Sequence, residues 1–194
     1  MLTRLIPLCD EGPGNFPCLK LVEGHEYQPY FALSHRWATA MDCVTRLDNI
    51  EERMNNLDFD VLPKTFKDAV SVTLALGYNH LWIDCICIIQ DDNHDWETEC
   101  PKMAHIYGNA DLTIAAVTAT DDYAGYLEVR SNPDSPNSCK LRYWNKQKLP
   151  ADIIVVEYVG NGNERRRPGF QNLLDSRGWT LQERMLSPRV LFLP

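Results

Sequence analysis

"LPKTFKDAVSVTLALGYNHLWIDCICII", residues 62–89, decides the fold class of this chain. Thr65 is predicted to cap a helix, because Asp68 follows it in a variant of the capping box and apolar residues continue at helical spacing until Gly77. The run "LWIDCICII" follows shortly afterwards and is apolar except for Asp84, which is typical of a strand buried on both faces. The stretch therefore predicts a helix followed by a central strand.

Strand-like segments on both sides extend this pattern. "YFALSH", residues 30–35, is a short apolar run that ends in polar residues, and "ADLTIAAV", residues 110–117, is typical of another buried strand. Further strands are predicted at residues 151–159 and 190–194. Because strands alternate with helical segments, we expect an α/β fold with a mainly parallel sheet flanked by helices.

Composition and charge limit the functions that this chain can have. With 194 residues, of which 44% are hydrophobic and 24% charged, the chain is expected to form one domain, residues 1–194. A formal net charge of −8 argues against nucleic acid as a partner. No apolar run is long enough to span a membrane, so no membrane partner is expected. Seven scattered cysteines fit reduced thiols, which predicts a cytoplasmic location.

Two segments lie outside the predicted sheet. Residues 128–150 are polar and rich in proline, so they are predicted to form a long loop or a small insertion. A short helix is predicted to start at Ser176 and to end near Pro188. Its Trp179 should be buried against the sheet, and Gln182 or Glu183 should reach the region of Asp84.

Several cysteines and histidines close in sequence are residue types that bind zinc. Their spacing matches no common zinc module, because a Cys-x-Cys pair on a strand points both thiols to one face while the histidines fall in a turn and a later helix. The sequence therefore predicts no metal site and places the cysteines in the core. A catalytic cysteine stays open as an alternative, without a nucleophile motif in support. The residues concerned are Cys85, Cys87, His94, Cys100 and His105.

Acidic residues cluster after the predicted central strand. Asp84 is costly to bury as an ion, so it should lie at the end of the strand or accept hydrogen bonds. Asp91, Asp92 and Asp95 stand in a segment typical of a solvated turn or a helix N-cap.

Glu99 differs from these residues, because it borders an apolar stripe at helical spacing that runs from Trp96 to Ala110. Pro101 is tolerated in a first turn, so the regular helix is expected to begin near Thr98. This would place Glu99 where the helix dipole favours the ionised carboxylate.

Three blocks of the sequence together resemble the fungal heterokaryon-incompatibility (HET) domain. They are "YFALSHRW", "LPKTFKDAVSVTLALGYNHLWIDCICIIQDDNHDWETECPKMAHIYGNADLTIAA" and "RGWTLQERMLSPRVLF", at about residues 30–37, 62–116 and 176–192. Ala38 and Pro101 depart from the usual pattern. The resemblance implies a programmed-cell-death effector that acts when genetically unlike fungal cells fuse. It also implies self-association and a larger signalling partner of the immune type.

The HET family is itself similar to Toll/interleukin-1 receptor (TIR) domains, which have a flavodoxin-like fold. Several of those cleave NAD at the nicotinamide glycosidic bond with one glutamate, so the resemblance implies that Glu99 is catalytic, with Glu97 and Glu183 as rivals. NAD would be the substrate, and no cofactor is implied.

Residues that would bind NAD follow from the same resemblance and from the chemistry of the reaction. An oxocarbenium-like transition state needs an anion, an aromatic face and donors for the pyrophosphate. The implied substrate-binding residues are Ser34, Arg36, Trp37, Asp84 and Trp96. Two alternatives stay open: the tryptophans can be plain core, and Arg36 can form a salt bridge. A non-catalytic death-signalling and self-association module is the alternative function.

Overall fold

Strands and helices alternate along the part of the chain that the computed structural model describes, which is residues 2–9, 18–19, 21–23, 28–37, 43–117, 119–127, 138–144, 150–156, 183 and 185–193. The strands are β1 (Arg4–Cys9), β2 (Cys18–Leu19), β3 (Val22–Glu23), β4 (Phe31–Ser34), β5 (His80–Trp82), β6 (Leu112–Ala116), β7 (Ser138–Trp144), β8 (Pro150–Val156) and β9 (Val190–Leu193). The helices are α1 (Ile50–Asn55), α2 (Lys64–Ala75), α3 (Asp84–Cys87), α4 (Asn93–Glu99) and α5 (Met103–Asn109). Short 3-10 turns cover Phe59–Val61 and Cys100–Lys102.

A seven-stranded sheet organises the molecule, and its five longer strands lie in the order β1-β5-β4-β6-β9. The pairs β5-β4, β4-β6 and β6-β9 are parallel, whereas β1 is antiparallel to β5. The two-residue strands β2 and β3 pair with β1, also antiparallel. Two strands predicted from the sequence, β4 and β5, are thus parallel neighbours with α1 and α2 between them in the chain. The expectation of an α/β fold with a mainly parallel sheet is confirmed.

The core is formed where this sheet meets its helices. All four residues of β4 are buried, as expected for a central strand. Phe66 of α2 is fully buried, and the rings of Trp82 and Tyr107 meet edge to face with centroids 5.6 Å apart. The Tyr107 hydroxyl donates to the carbonyl of Leu33 at 3.1 Å, which ties α5 to β4. Helix α5 therefore packs against the centre of the sheet.

The predicted strand at residues 81–89 is shorter than expected. Strand β5 ends at Trp82, and Asp84 starts the four-residue helix α3. The Asp84 carboxylate accepts the Cys85 amide at 2.7 Å, and the Ile88 amide donates to the Asp84 carbonyl at 3.0 Å, so the polar residue favours a helical turn over a continued strand. The Cys-x-Cys pair therefore lies on a helix, and its predicted strand geometry is wrong.

The predicted capping box at the start of α2 is also wrong. The helix begins at Lys64 after Pro63. The Thr65 hydroxyl instead donates to the Asp121 carbonyl at 3.0 Å, and Asp68 accepts amides of the loop that follows β6. Both side chains are buried and bind a sequence-distant loop rather than their own helix end.

The expected helix start near Thr98 is wrong as well. Glu99 is the last residue of α4, Pro101 lies in a 3-10 turn, and α5 begins only at Met103. Glu99 therefore lies in the last turn of α4 and not in the first turn of a helix. The proline prevents one continuous helix because it lacks an amide hydrogen.

Among the three aspartates predicted in a solvated turn, one is buried more than expected. Asp92 caps α4 by accepting the His94 amide at 2.9 Å, which confirms the N-cap alternative. Asp95, however, forms an ion pair with Arg4 of β1, and both side chains are largely buried. Helix α4, which contains Asp95, is therefore attached to β1.

The polar segment at residues 128–150 is more than a loop. Strand β7 lies inside it and pairs antiparallel with β8 along seven residues, from Ser138 opposite Val156 to Trp144 opposite Pro150. The strand predicted at residues 151–159 is confirmed as far as Val156. Near the end of the chain, Trp179 and Gln182 lie outside the described residues. No helix among the described residues is long and apolar enough to cross a bilayer.

Candidate functional site

Polar side chains collect at the carboxyl ends of the two central parallel strands. His35, Arg36 and Trp37 follow β4 directly, and Asp84 follows β5 after one residue. Ligands of open α/β sheets bind in this position, where the strand order reverses. Strand β4 is at such a reversal, because β5 lies on one side of it and β6 on the other.

His35 is the buried centre of this group. Its Nε2 lies 3.1 Å from Asp122 Oδ1, and its Nδ1 lies 3.7 Å from Asp84 Oδ1. Burial disfavours the imidazolium and lowers the pKa of His35, but neighbouring carboxylates outweigh this effect, so the pKa is raised above its usual value. These carboxylates, in order of effect, are Asp84, Asp122 and Glu183.

The Asp84 carboxylate is held on both oxygens. Trp37 Nε1 donates to Oδ2 at 2.9 Å, and the Cys85 amide donates to Oδ1 at 2.7 Å. Burial raises the pKa of Cys85 well above its usual value, and Asp84 adds to this effect. Burial also raises the pKa of Cys87 to about 12. The raised pKa values disfavour a thiolate nucleophile at either cysteine, and so disfavour the alternative of a catalytic cysteine.

A cavity of about 130 Å³ opens beside Asp84. Its volume is close to that of an engineered cavity of about 150 Å³ that binds benzene, which is the scale of a single ring. Glu183 reaches it from the C-terminal part of the chain and is buried. The lining residues are Trp37, Asp84, Ile88, Gln90, Trp96, Cys100, Met103 and Glu183.

The structure brings together some of the residues predicted from the sequence. Trp37, Asp84, Trp96 and Glu183 line this one cavity, and the expectation that Glu183 reaches the Asp84 region is confirmed. Trp96 is half exposed, at 50%, so the alternative that it is a core residue is wrong.

Other predicted residues lie elsewhere. Ser34 is buried at the end of β4, and Arg36 is partly buried without lining the cavity. Glu97 is exposed on α4. Glu99 is 2% exposed, and its Oε1 accepts hydrogen bonds from Lys102 Nζ at 2.8 Å and from the Thr3 hydroxyl.

Two residues of the site were not predicted from the sequence. His35 stands in the first quoted block, but its spacing there indicates no chemistry. Asp122 belongs to an acidic pair just after β6, and the position of that pair at the carboxyl edge of a parallel strand is the signal that points to it.

The residues considered as zinc ligands are distributed over three helices and the 3-10 turn that begins at Cys100. Cys85 and Cys87 are buried in α3, whereas His94 is exposed in α4 and His105 is exposed in α5. Within the described part of the chain, a different group can hold a metal ion: His35, Asp84 and Cys85 offer ligand atoms that all lie within 4.8 Å of one another.

Comparison with known proteins gives one match. The family model described as "Heterokaryon incompatibility protein (HET)" matches residues 30–183. No curated protein and no solved structure matches the chain. The match begins just before β4 and ends at Glu183, so it includes both central strands and the residues that line the cavity.

Proposed function

This chain belongs to the heterokaryon incompatibility (HET) family, and we propose that it is a cell-death effector domain that cleaves NAD at the nicotinamide glycosidic bond. The family implies a role in heterokaryon incompatibility. One observation carries the proposed reaction: a ring-sized cavity at the carboxyl edge of the sheet is lined by two carboxylates and two tryptophans.

The charge of the site favours a cationic ligand. The carboxylates of Asp84, Asp122 and Glu183 surround one histidine, so negative charge prevails even when His35 is protonated. The nicotinamide ring of NAD carries a positive charge, and the ribose becomes cationic as the bond breaks. Nearby carboxylates stabilise such a transition state, and tryptophan faces attract a cationic ring.

The topology of the sheet supports the proposed likeness to TIR domains. Counted in chain order, the parallel strands β5-β4-β6-β9 lie in the order second, first, third, fourth. This is the order of the first four strands in flavodoxin-like sheets, whose ligands bind at the reversal next to the first strand. The cavity is at the corresponding edge. The ribose and phosphates would extend from it, with Arg36 and Ser34 as proposed contacts.

Glu183 is the better candidate for the catalytic carboxylate than Glu99. Glu183 lines the cavity and is electrostatically coupled to His35. Glu99 does not line the cavity, and its Oε1 accepts hydrogen bonds from Lys102 and Thr3. Glu97 is exposed on α4 and does not line the cavity. We therefore assign to Glu183 the anion that stabilises the cationic sugar.

The reaction is tested with purified protein at high concentration, incubated with NAD while nicotinamide release is followed. Glu183→Gln keeps the size of the side chain and removes its charge, so the rate should fall at least about 100-fold. Glu51→Gln, on the exposed side of α1, is the matched control and should keep the wild-type rate. An unchanged rate in Glu183→Gln would refute the assignment of this residue.

A non-catalytic signalling module is the competing function. We propose that the domain self-associates in the cytoplasm, and the free thiols of Cys85, Cys87 and Cys100 fit such a reducing compartment. Light scattering across a concentration series measures self-association. If the assembled wild-type protein releases no nicotinamide, NAD cleavage is refuted and the signalling module takes its place.

A further inference from the structure

We propose that His35, Asp84 and Cys85 bind a divalent transition-metal ion of the zinc type. Their ligand atoms lie within 4.8 Å of one another, at the end of β4 and the start of α3. The proposal departs from the sequence-based expectation of no metal. It does not rest on NAD cleavage, because it concerns how the site is built.

The spacing of the ligand atoms fits an ion better than a direct contact. His35 Nδ1 and Asp84 Oδ1 are 3.7 Å apart, which is too long for a hydrogen bond. Two ligands of one tetrahedral zinc ion are separated by about 3.4 to 3.6 Å, given the usual zinc–ligand bond lengths. The His35–Asp84 pair is therefore close to the spacing that an ion needs, whereas the distances to Cys85, which are up to 4.8 Å, must contract further as the ion binds.

The surrounding groups already orient the ligands. Asp122 Oδ1 lies 3.1 Å from His35 Nε2, which directs the opposite nitrogen, Nδ1, toward the ion. A carboxylate beside the second ring nitrogen in this way accompanies most metal-binding histidines. On the other side, Trp37 Nε1 holds Asp84 Oδ2 at 2.9 Å, so that Oδ1 faces the histidine.

The position of the site leaves room for a further ligand. Asp84 lines the cavity, so an ion held by three protein ligands has a side open to it. Three protein ligands with an open position are typical of catalytic zinc sites, whereas structural sites have four. Glu183 faces the same cavity and adds negative charge that compensates the cation.

The ligand types select the ion. Magnesium and calcium prefer oxygen ligands alone, so a thiolate and an imidazole disfavour both. A thiolate, an imidazole and a carboxylate together suit Zn²⁺, and Co²⁺ adopts the same tetrahedral geometry with a visible spectrum. Binding would require the Cys85 thiol to release its proton to solvent as the sulfur–metal bond forms.

The test is a titration of the full chain, stripped of metal with a chelator, with Co²⁺ and then Zn²⁺. We expect one ion per chain and a thiolate-to-cobalt absorption in the near ultraviolet, with no competition from Mg²⁺. Cys85→Ser should lose this absorption. Cys87→Ser is the matched control, because this buried thiol lies on the same helix but outside the group, and it should keep the absorption.

A second variant keeps the proposal testable if Cys85→Ser does not fold. Asp122→Asn leaves all three ligands in place and should weaken Zn²⁺ binding about 10- to 100-fold. No stoichiometric binding to the wild type, loss of the absorption in Cys87→Ser alone, or unchanged affinity in Asp122→Asn would each overturn the site. These readouts are independent of nicotinamide release, so the failure of one proposal is distinguishable from the failure of the other.

Discussion

Asp68 is a buried carboxylate that connects a helix to a distant loop. Its Oδ2 accepts the amides of Tyr126 at 2.8 Å and Leu127 at 2.9 Å, and Lys64 Nζ lies 3.0 Å away. Gly125 completes the contact with φ of 69°, and a β-carbon at this glycine would come within 2.8 Å of Asp68 Oδ2. The loop after β6, which carries Asp122, is therefore positioned by this residue.

Asp68→Ala should lower the free energy of unfolding by about 3 kcal/mol, because one buried and one partly buried loop amide lose a charged acceptor. Lys64→Ala is the matched control and should cost less than about 1 kcal/mol, since the lysine side chain is 49% exposed and its ion pair is screened by solvent. Urea unfolding followed by circular dichroism measures both. Equal losses in the two variants would contradict this role of Asp68.

Glu99 is predicted to stabilise the protein rather than to catalyse. Glu99→Gln should reduce the free energy of unfolding by about 1 to 3 kcal/mol, because the buried oxygen that Lys102 and Thr3 contact loses its charge. The folded fraction should still release nicotinamide at close to the wild-type rate. Thermal unfolding and the release assay, run on the same preparation, check both parts. A fall as large as that expected for Glu183→Gln would restore Glu99 as the catalytic residue.

At the scale of elements, β5 and α4 use tryptophan in opposite ways. Trp82 of β5 is 1% exposed and packs on Tyr107, whereas Trp96 of α4 is 50% exposed and borders the cavity. The short helix α3 lies between these two tryptophans in the chain. The first tryptophan therefore serves the fold and the second is available for a ligand.

Trp82→Ala should lower the free energy of unfolding by about 3 to 5 kcal/mol, because truncation of a large buried side chain leaves a cavity in the core. Trp96→Ala should change stability by less than about 1 kcal/mol, because half of its surface is already in water. It should instead weaken the binding of NAD. Chemical denaturation measures the stability of both variants. The KM for NAD in the nicotinamide-release assay tests whether Trp96→Ala weakens the binding of NAD. A Trp96→Ala protein with unchanged KM would remove this residue from the proposed site.

At the scale of the whole molecule, the sheet extends beyond the segment that the family model matches. Strand β1 lies before residue 30 and β9 lies after residue 183, yet both pair with strands inside the matched segment. Strand β1 buries Leu5, Ile6 and Leu8 and covers the edge of β5. Its Arg4 also donates to the Cys87 carbonyl at 2.7 Å. Strand β1 is thus part of the fold that supports the site.

Deleting residues 1–9 should abolish cooperative unfolding, because three buried apolar side chains are lost and β5 becomes an open edge. Such an edge pairs readily with other chains, so the shortened protein should also aggregate. A chain that lacks only residues 1–2 is the matched control and should keep the transition. Calorimetry and size-exclusion chromatography measure these outcomes. A cooperative transition at the wild-type temperature after the longer deletion would contradict a structural role for β1.

The amino-acid sequence by itself determined the α/β class, the mainly parallel sheet and the family. The reason is physical: apolar periodicity and strand propensity act over a few residues and are visible in the chain. Phe31 and Leu81 each stand in an unbroken apolar run, and the two residues are register partners in the sheet. The presence of Glu183 near Asp84 also followed from the need to bury the last predicted helix.

Only the tertiary structure decided which polar groups meet. Asp84 lies at the start of α3 instead of inside a strand, and its side chain accepts the Cys85 amide. Glu99 is buried and accepts a hydrogen bond from Lys102, and it does not line the cavity. His35 and Asp122 come together because β4 and β6 are neighbours in the sheet, although many residues separate them in the chain. Side-chain partners of this kind depend on sheet order and loop placement, which local sequence patterns do not encode.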